Sequence, residues 1–315
     1  MTKTPKRVLL ACDALERLER LPTAIGSMAR LFQAEVVLLN VVPPAPSSWR
    51  SEWGVDPQEV QGALIRAREN DLTAVGRKLR GVAKRVEVRV GDPTTEIVKA
   101  AVDLECDIVA LLDDPRLRNS ERCFGTTTMK LLRMCPLPIW TVRDDSKRPA
   151  RVMAAVDVGP EHVDLSRRIL SLAQGFVAPR AAPLVVLHAW ELWGEGLLAA
   201  RGRMSKAELA AALEDMKRDR DQHVRELLAG ERLTDHVVVK LVKGDASQVV
   251  PAMVRDNRID LLVMGTLART GLRGLVMGNT AERILHEVSC SILTVKPEGF
   301  VSPLSSLEPT GYVRN

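Results

Sequence analysis

Several features that mark specialised classes of protein are missing from this 315-residue sequence. Aromatic residues make up only 3% of it, so stacking platforms for single-stranded nucleic acid or sugars are not expected. The five cysteines are an odd number without a C-x-x-C pair, which disfavours a disulfide framework or a metal site and favours a reducing compartment. No N-terminal apolar segment of the targeting type follows the first six residues, and no apolar run approaches the ~18 residues of a membrane span. We therefore expect a cytoplasmic protein that does not associate with membranes.

The charge of the sequence does not indicate a particular class of binding partner. The formal net charge is +5, and basic residues occur as pairs such as Lys6-Arg7 and Lys84-Arg85 and not as runs. Nucleic acid is thus an unlikely partner. The apolar fraction of 46% and charged fraction of 27% are typical of soluble globular proteins.

The sequence contains two copies of one pattern. Arg7-Val-Leu-Leu-Ala-Cys-Asp13 recurs as Arg151-Val-Met-Ala-Ala-Val-Asp157, and Gly91-Asp92 recurs as Gly244-Asp245. From Gly91 onward the offset between the copies stays at 153 residues. This repeat predicts two tandem domains, residues 1–146 and 147–297, followed by a mobile C-terminal tail, residues 298–315.

Each copy alternates short apolar runs with amphipathic stretches, which predicts an α/β fold. Near-continuous apolar runs suit strands that helices cover on both faces, so we expect two tandem doubly wound domains, each with a five-stranded parallel sheet. The predicted strands are 8–12, 35–42, 85–90, 108–112 and 139–142, then 152–156, 184–189, 237–242, 261–264 and 292–295. The predicted helices are 16–33, 56–80, 93–104 and 126–134, then 161–176, 205–229, 246–257 and 279–288.

One glycine-rich turn in the second copy predicts an anion site. Gly265, Gly271, Gly274 and Gly278 follow a buried strand and precede a helix that opens near Asn279. Glycines let backbone N–H groups approach an anion, and a helix N-terminus adds unpaired N–H groups and a positive dipole end. Arg269 and Arg273 are candidates to neutralise phosphate charge.

This turn resembles the nucleotide signature of the universal stress protein family, and the likeness covers residues 6–143 and 150–297 in the manner of its tandem two-domain bacterial members. The resemblance implies an adenine contact at Asp157 with Ala189 nearby, and Gly265 beside the ribose. It places the phosphates at Ala268, Gly278, Asn279 and Thr280. Ala268 departs from the family pattern, which has glycine there, so the ATP or nucleotide site is expected to be weak. The resemblance also implies that strands 139–142 and 292–295 pair about an internal pseudo-two-fold axis, which would cover two sheet edges.

The first copy departs further from that signature. Leu112-Asp113-Asp114-Pro115 stands in place of Gly265-Thr-Leu-Ala268, so the turn glycine is lost and two carboxylates would repel phosphate. We expect no ATP binding there. Asp13, Asp113 and Asp114 could alternatively hold Mg²⁺, although solvated loop acids are the more common case.

The leading hypothesis is a stress-response protein whose second domain binds ATP and acts as a ligand-responsive regulator. No general base and no catalytic residue can be assigned, so we expect no enzyme activity beyond slow ATP hydrolysis. The alternative is an interaction module in which residues 189–228 bind a protein partner or an apolar ligand, because Trp190, Trp193, Leu197 and Leu198 are apolar. Beyond the internal pairing of the domains, a homodimer is left open.

Local patterns add smaller predictions. Ser205 with Glu208, and Asn279 with Glu282, are predicted capping boxes, and Asp92 is a predicted helix cap. His188 is expected to be a core histidine whose ring is hydrogen-bonded within the protein, and Cys135 and Cys290 are expected to be buried.

Overall fold

The structure is a computed structural model that describes residues 4–12, 22–113, 124–143, 149–177, 183–192, 194–195, 205–231, 236–266 and 277–304. Strands and helices alternate in both halves. The strands are β1 Arg7–Ala11, β2 Glu35–Val42, β3 Lys84–Val90, β4 Ile108–Leu112, β5 Ile139–Val142, β6 Val152–Ala155, β7 Leu184–Trp190, β8 Val237–Lys243, β9 Leu261–Gly265 and β10 Ser291–Val295. The helices are α1 Pro22–Phe32, α2 Trp49–Trp53, α3 Pro57–Lys78, α4 Pro93–Asp103, α5 Thr126–Met134, α6 Val163–Phe176, α7 Lys206–Ala229, α8 Ala246–Asp256 and α9 Asn279–Glu287.

The ten strands form one continuous sheet in the order β3-β2-β1-β4-β5-β10-β9-β6-β7-β8. Each half has the same strand order and is parallel throughout, as the repeat predicted. At the centre β10 runs antiparallel to β5, with Leu293 opposite Trp140. The predicted fold class and the pairing about a pseudo-two-fold axis are confirmed.

Side chains reinforce the join between the two halves. Thr141 Oγ1 donates to the Ile292 carbonyl at 3.2 Å, and Thr294 Oγ1 donates to the Ile139 carbonyl at 3.4 Å. On one face of the sheet, Phe176 of the second half lies edge-on to Phe32 at 5.1 Å and to Trp140 at 5.2 Å between ring centroids. Edge-to-face aromatic packing adds to the burial of these large rings, so the halves share a core.

The second half is longer than the first in its first two crossovers. In the first half, Leu9 of β1 pairs with Val37 of β2, and Val37 pairs with Arg85 of β3. In the second half, the equivalent residue Met153 pairs with Val185, and Val185 pairs with Val238. The added residues therefore lie in the crossovers before β7 and before β8.

Two of the predicted helix caps are confirmed and one is wrong. Asp92 accepts the Thr95 N–H at 3.0 Å, and Ser205 and Glu208 form a reciprocal capping box. Helix α9 instead has Gly278 as its N-cap with no side-chain cap bond, because the helix begins one residue earlier than the capping-box pattern requires. Glu282 turns to Arg133 of α5, with its carboxylate 2.8 Å from the guanidinium.

Buried polar groups match the expectations for the core. His188 is buried, and its Nδ1 lies 3.0 Å from the Val156 carbonyl. Cys135 and Cys290 are buried, and loss of solvation raises their thiol pKa values to about 12 and about 11. In the described part of the chain no helix is long and apolar enough to cross a membrane.

The start of the predicted tail is packed against the second half. Ser302 is buried, and the Phe300 ring centroid lies 5.0 Å from Lys296 Nζ. Residues 305–315, the rest of that segment, lie outside the described residues.

Candidate functional site

A cleft of about 340 Å³ opens at the carboxyl ends of β6, β7 and β9. Strand β6 lies between β7 and β9, and the crossovers leave its two sides in opposite directions, so this is the topological switch point at which doubly wound sheets bind ligands. The cleft is lined by Ala155, Val156, Asp157, His162, Leu165, Ser166, Ile169, Leu187, Ala189, Glu191, Asp245, Ala246, Val250, Met264, Gly265, Gly278, Asn279, Thr280, Ala281 and Ile284.

Asp157 is held in a fixed turn directly after β6. Its Oδ1 accepts the Gly159 N–H at 3.0 Å, and its backbone N–H donates to Ser166 Oγ at 3.0 Å. Ser166 Oγ in turn donates to the Asp157 carbonyl at 2.7 Å, which ties the turn to α6. About a third of the carboxylate side chain remains exposed, so it can accept a hydrogen bond from a ligand in the cleft.

Close packing favours glycine at position 265, at the end of β9. A Cβ added there would lie 2.8 Å from Leu165 Cδ2, closer than real Cβ atoms approach. Leu165 also lines the cleft. The missing side chain therefore keeps the cleft open between β9 and α6.

The N-terminus of α9 closes the opposite end of the cleft. The Glu282 N–H donates to the Gly278 carbonyl at 2.9 Å. The N–H groups of the three residues before Glu282 therefore have no partner within the helix. The Gly278 N–H itself donates to the Thr266 carbonyl at 3.0 Å. Donors for an anion therefore come from Asn279, Thr280 and Ala281, and the expectation that Gly278 contributes its own N–H is corrected.

The described lining of the cleft is acidic. It contains Asp157, Glu191 and Asp245, and no lysine or arginine. Asp245 is engaged as the N-cap of α8, accepting the Ser247 N–H at 2.7 Å. The positive elements of the described lining are thus the N-termini of α8 and α9, which limits how well it stabilises a polyphosphate.

Six of the eight predicted site residues line this one cleft: Asp157, Ala189, Gly265, Gly278, Asn279 and Thr280. Ala268 and Arg269 lie outside the described residues, as do Arg273 and the glycines at 271 and 274. Sequence reasoning missed His162 and Ser166. His162 lies in a short 3₁₀ turn, Pro160–His162, and its Nε2 is 4.0 Å from Asp157 Oδ2. The Gly-Pro pair before it was the available signal for a turn beside Asp157.

The described residues of the first half do not repeat this arrangement. Leu112 occupies the position of Gly265, and the carboxylate of buried Asp113 lies 3.8 Å from Arg143 Nε. That guanidinium also donates to the carbonyls of Cys290 and Val288, so the charge of Asp113 is compensated at the junction between the halves. The argument that Asp113 repels phosphate is weakened accordingly. Asp13, Asp114 and Pro115 lie outside the described residues.

The apolar segment after β7 gives little support to an exposed docking patch. Trp190 is only 7% exposed at the end of β7, and residues 206–229 form α7. Trp193, Leu197 and Leu198 lie outside the described residues.

The protein is thus a tandem doubly wound α/β protein with a cleft at the topological switch point of its second half. The sequence profile of the universal stress protein family matches residues 4–143 and again 150–296. The chain therefore belongs to the universal stress protein family, as two tandem copies of its domain, and the family is one of stress-response proteins.

Curated relatives agree with this assignment, and solved structures share the fold. Universal stress protein E of Photorhabdus laumondii is 25% identical over 236 residues, covering 70% of this chain and 72% of the relative. A universal stress protein of Mycobacterium bovis is 26% identical over 279 residues, covering 84% of this chain and 87% of the relative. A universal stress protein from Archaeoglobus fulgidus has a similar fold, with a TM-score of 0.61, 16% identity and coverage of 94% and 99%. A protein of unknown function from Pseudomonas aeruginosa PAO1 has a TM-score of 0.59 at 21% identity, covering 94% of both chains.

Proposed function

We propose that the second domain, residues 147–297, binds ATP or a related adenine nucleotide weakly, and that the protein acts as a ligand-responsive regulator and not through catalysis. The observation that supports this most is the convergence of Asp157, Gly265 and the N-terminus of α9 on one cleft. In this arrangement Asp157 accepts a hydrogen bond from the adenine, and Ala189 leaves room for the ring. The N–H groups of Asn279 and Thr280 face the phosphates.

Weak affinity follows from the charge of the site. Asp157, Glu191 and Asp245 oppose a polyanion, and among the described residues no lysine or arginine lines the cleft. Arg269 is proposed to supply part of the missing charge. Ala268, in place of the glycine of the family pattern, removes conformational freedom from the same turn.

Calorimetric titration of ATP into the full chain tests the proposal. We expect one site per chain with a dissociation constant in the micromolar range or above, equivalent to about 8 kcal/mol or less. Ala268→Gly should tighten binding, because it restores the freedom of the turn. Absence of heat and of any thermal stabilisation at millimolar ATP, in wild type and in Ala268→Gly, would contradict the proposal.

A further inference from the structure

A second cavity, about 300 Å³ in volume, lies beside the cleft of the second half. The two cavities share Asp157, Ala189, Glu191 and Ala246, and the second cavity extends from them toward α7. We call it the α7 pocket, because Arg220 of that helix lines it. The α7 pocket thus adjoins the proposed nucleotide site and has lining residues of its own.

The inner face of α7 brings Arg220 to this pocket. Arg220 lies one and two helical turns before Val224 and Leu227, which are the buried residues of the helix, so the three share one helical face. Packing of that face against the second half fixes the helix in place. The position of Arg220 beside the strand ends is therefore set by the fold.

Carboxylates line the same pocket without pairing with Arg220. Glu161 lies in the 3₁₀ turn that precedes α6, and Glu191 follows β7 directly. Glu161 is 3.5 Å from His162 Nε2, and no ion pair joins Arg220 to Glu161 or Glu191, all three being described residues. The pocket therefore holds positive and negative side chains that do not neutralise each other directly.

Trp190 adds a buried hydrogen-bond donor to the wall of the pocket. It lines the pocket, and among the described residues its Nε1 has no hydrogen-bond partner. A buried indole N–H lowers stability unless an acceptor reaches it. Ala246, the first residue of α8, also lines the pocket, so the positive end of that helix dipole faces it as well. Both features favour a negatively charged acceptor on the ligand.

We propose that the α7 pocket binds a small zwitterion of the amino-acid type. Arg220, the Trp190 N–H and the N-terminus of α8 hold its carboxylate, and Glu161 and Glu191 hold its ammonium group. A ligand with both charges satisfies both sets of groups, whereas a simple anion is repelled by the carboxylates and a simple cation by the arginine. A cavity of about 150 Å³ holds benzene, so about 300 Å³ accommodates an amino acid with a medium-sized side chain.

Thermal unfolding of the full chain with each standard L-amino acid in turn, at millimolar concentration and without nucleotide, tests the proposal. We expect at least one amino acid to raise the melting temperature saturably, and calorimetry then measures its dissociation constant. The corresponding amide lacks the carboxylate and the corresponding deamino acid lacks the ammonium group, so each should bind about tenfold more weakly or worse. Because nucleotide is absent, the result is independent of the function proposed above.

Two variants remove different groups of the pocket. Arg220→Met should weaken binding about tenfold or more, because the ligand carboxylate loses its cation. Trp190→Phe keeps the ring and removes the N–H, so it should weaken binding by roughly fivefold. Arg68→Met is the matched control, because Arg68 occupies the equivalent position on the inner face of α3 in the first half. It should leave the affinity within about twofold.

Circular dichroism identifies the variants that remain folded, and the change of two different groups guards against the loss of one variant. The proposal is overturned if no amino acid raises the melting temperature saturably, or if the amide and the deamino acid bind as tightly as their parent. It is also overturned if folded Arg220→Met and Trp190→Phe bind as wild type does. Equal weakening by Arg68→Met and Arg220→Met would overturn it too, because the effect would then not arise in this pocket.

Discussion

Arg143→Met should destabilise the protein strongly, because Arg143 satisfies several buried groups at the junction of the two halves. Its Nη2 donates to the Val288 carbonyl at 2.9 Å and its Nε to the Cys290 carbonyl at 3.1 Å. The Asp113 carboxylate, whose side chain is 4% exposed, lies 3.8 Å from the same Nε. Charge-assisted hydrogen bonds contribute about 1.5–3 kcal/mol each, and removing one partner of a buried ion pair costs about 3–5 kcal/mol. These effects overlap, so we expect a loss of about 3–5 kcal/mol in the free energy of unfolding.

The pseudo-symmetric residue in the second half is a matched control with the opposite expected sign. Lys296 is 2% exposed, and among the described residues its Nζ has no hydrogen-bond partner. Burial lowers its pKa from 10.5 to about 8, which corresponds to an upper limit of about 3 kcal/mol. The Phe300 ring offsets part of this cost, by roughly 1 kcal/mol. Lys296→Met should therefore leave stability unchanged or increase it by about 1–2 kcal/mol.

Urea unfolding at pH 7, followed by far-UV circular dichroism, measures both changes. Asp113→Leu added to Arg143→Met should recover part of the loss, because it removes the buried carboxylate that Arg143 faces in wild type. The reasoning fails if Arg143→Met costs less than about 1 kcal/mol, or if Arg143→Met and Lys296→Met change the free energy of unfolding in the same direction.

Three further outcomes follow from the same structure. Wild type should gain stability relative to Lys296→Met as pH rises from about 8 toward 10.5, because in that window the unfolded chain keeps a lysine proton that the folded chain has released. A stability difference independent of pH in urea unfolding would contradict the assigned burial. Gly265→Ala should lower the free energy of unfolding by about 1 kcal/mol and weaken nucleotide binding, since its Cβ displaces Leu165. Gly159→Ala is the control for stability, because the added Cβ meets only ordinary 3.5 Å contacts. Equal melting temperatures of the two variants would refute the packing argument. Iodoacetamide at pH 8 should label Cys135 and Cys290 only as fast as the protein unfolds, because both thiols are buried with raised pKa values; rapid labelling seen by peptide mass spectrometry would contradict this.

The fold was predictable from the sequence because its determinants are local and repeated. Buried strands such as 108–112 and 261–264 are near-continuous apolar runs, and the constant offset after Gly91 aligned every later strand and helix of the two copies. The capping box at Ser205 was equally predictable, since both partners lie within one helical turn.

Contacts across the pseudo-two-fold axis were not predictable in the same way. Glu282 reads as a capping residue in the sequence, yet Arg133 of α5 comes within 2.8 Å only because β5 and β10 bring α5 and α9 together. Asp113 likewise reads as a loop acid until Arg143 is placed beside it. At the candidate site, the cleft residues at strand ends were found from the pattern, whereas Leu165 and Ser166 enter through the packing of α6, which has no motif.

The central claim is that nucleotide binds at the N-terminus of α9 and not at the equivalent helix of the first half. Gly278 and Gly125 are the N-caps of α9 and α5, both with extended backbone, so aspartate at either position caps its helix without strain. ATP titrated by calorimetry into full-length wild type, Gly278→Asp and Gly125→Asp tests the claim directly. We predict at least tenfold weaker binding in Gly278→Asp, because its carboxylate takes the N–H groups proposed for phosphate, and unchanged binding in Gly125→Asp. Binding that survives Gly278→Asp, or that is lost in Gly125→Asp, would contradict the account.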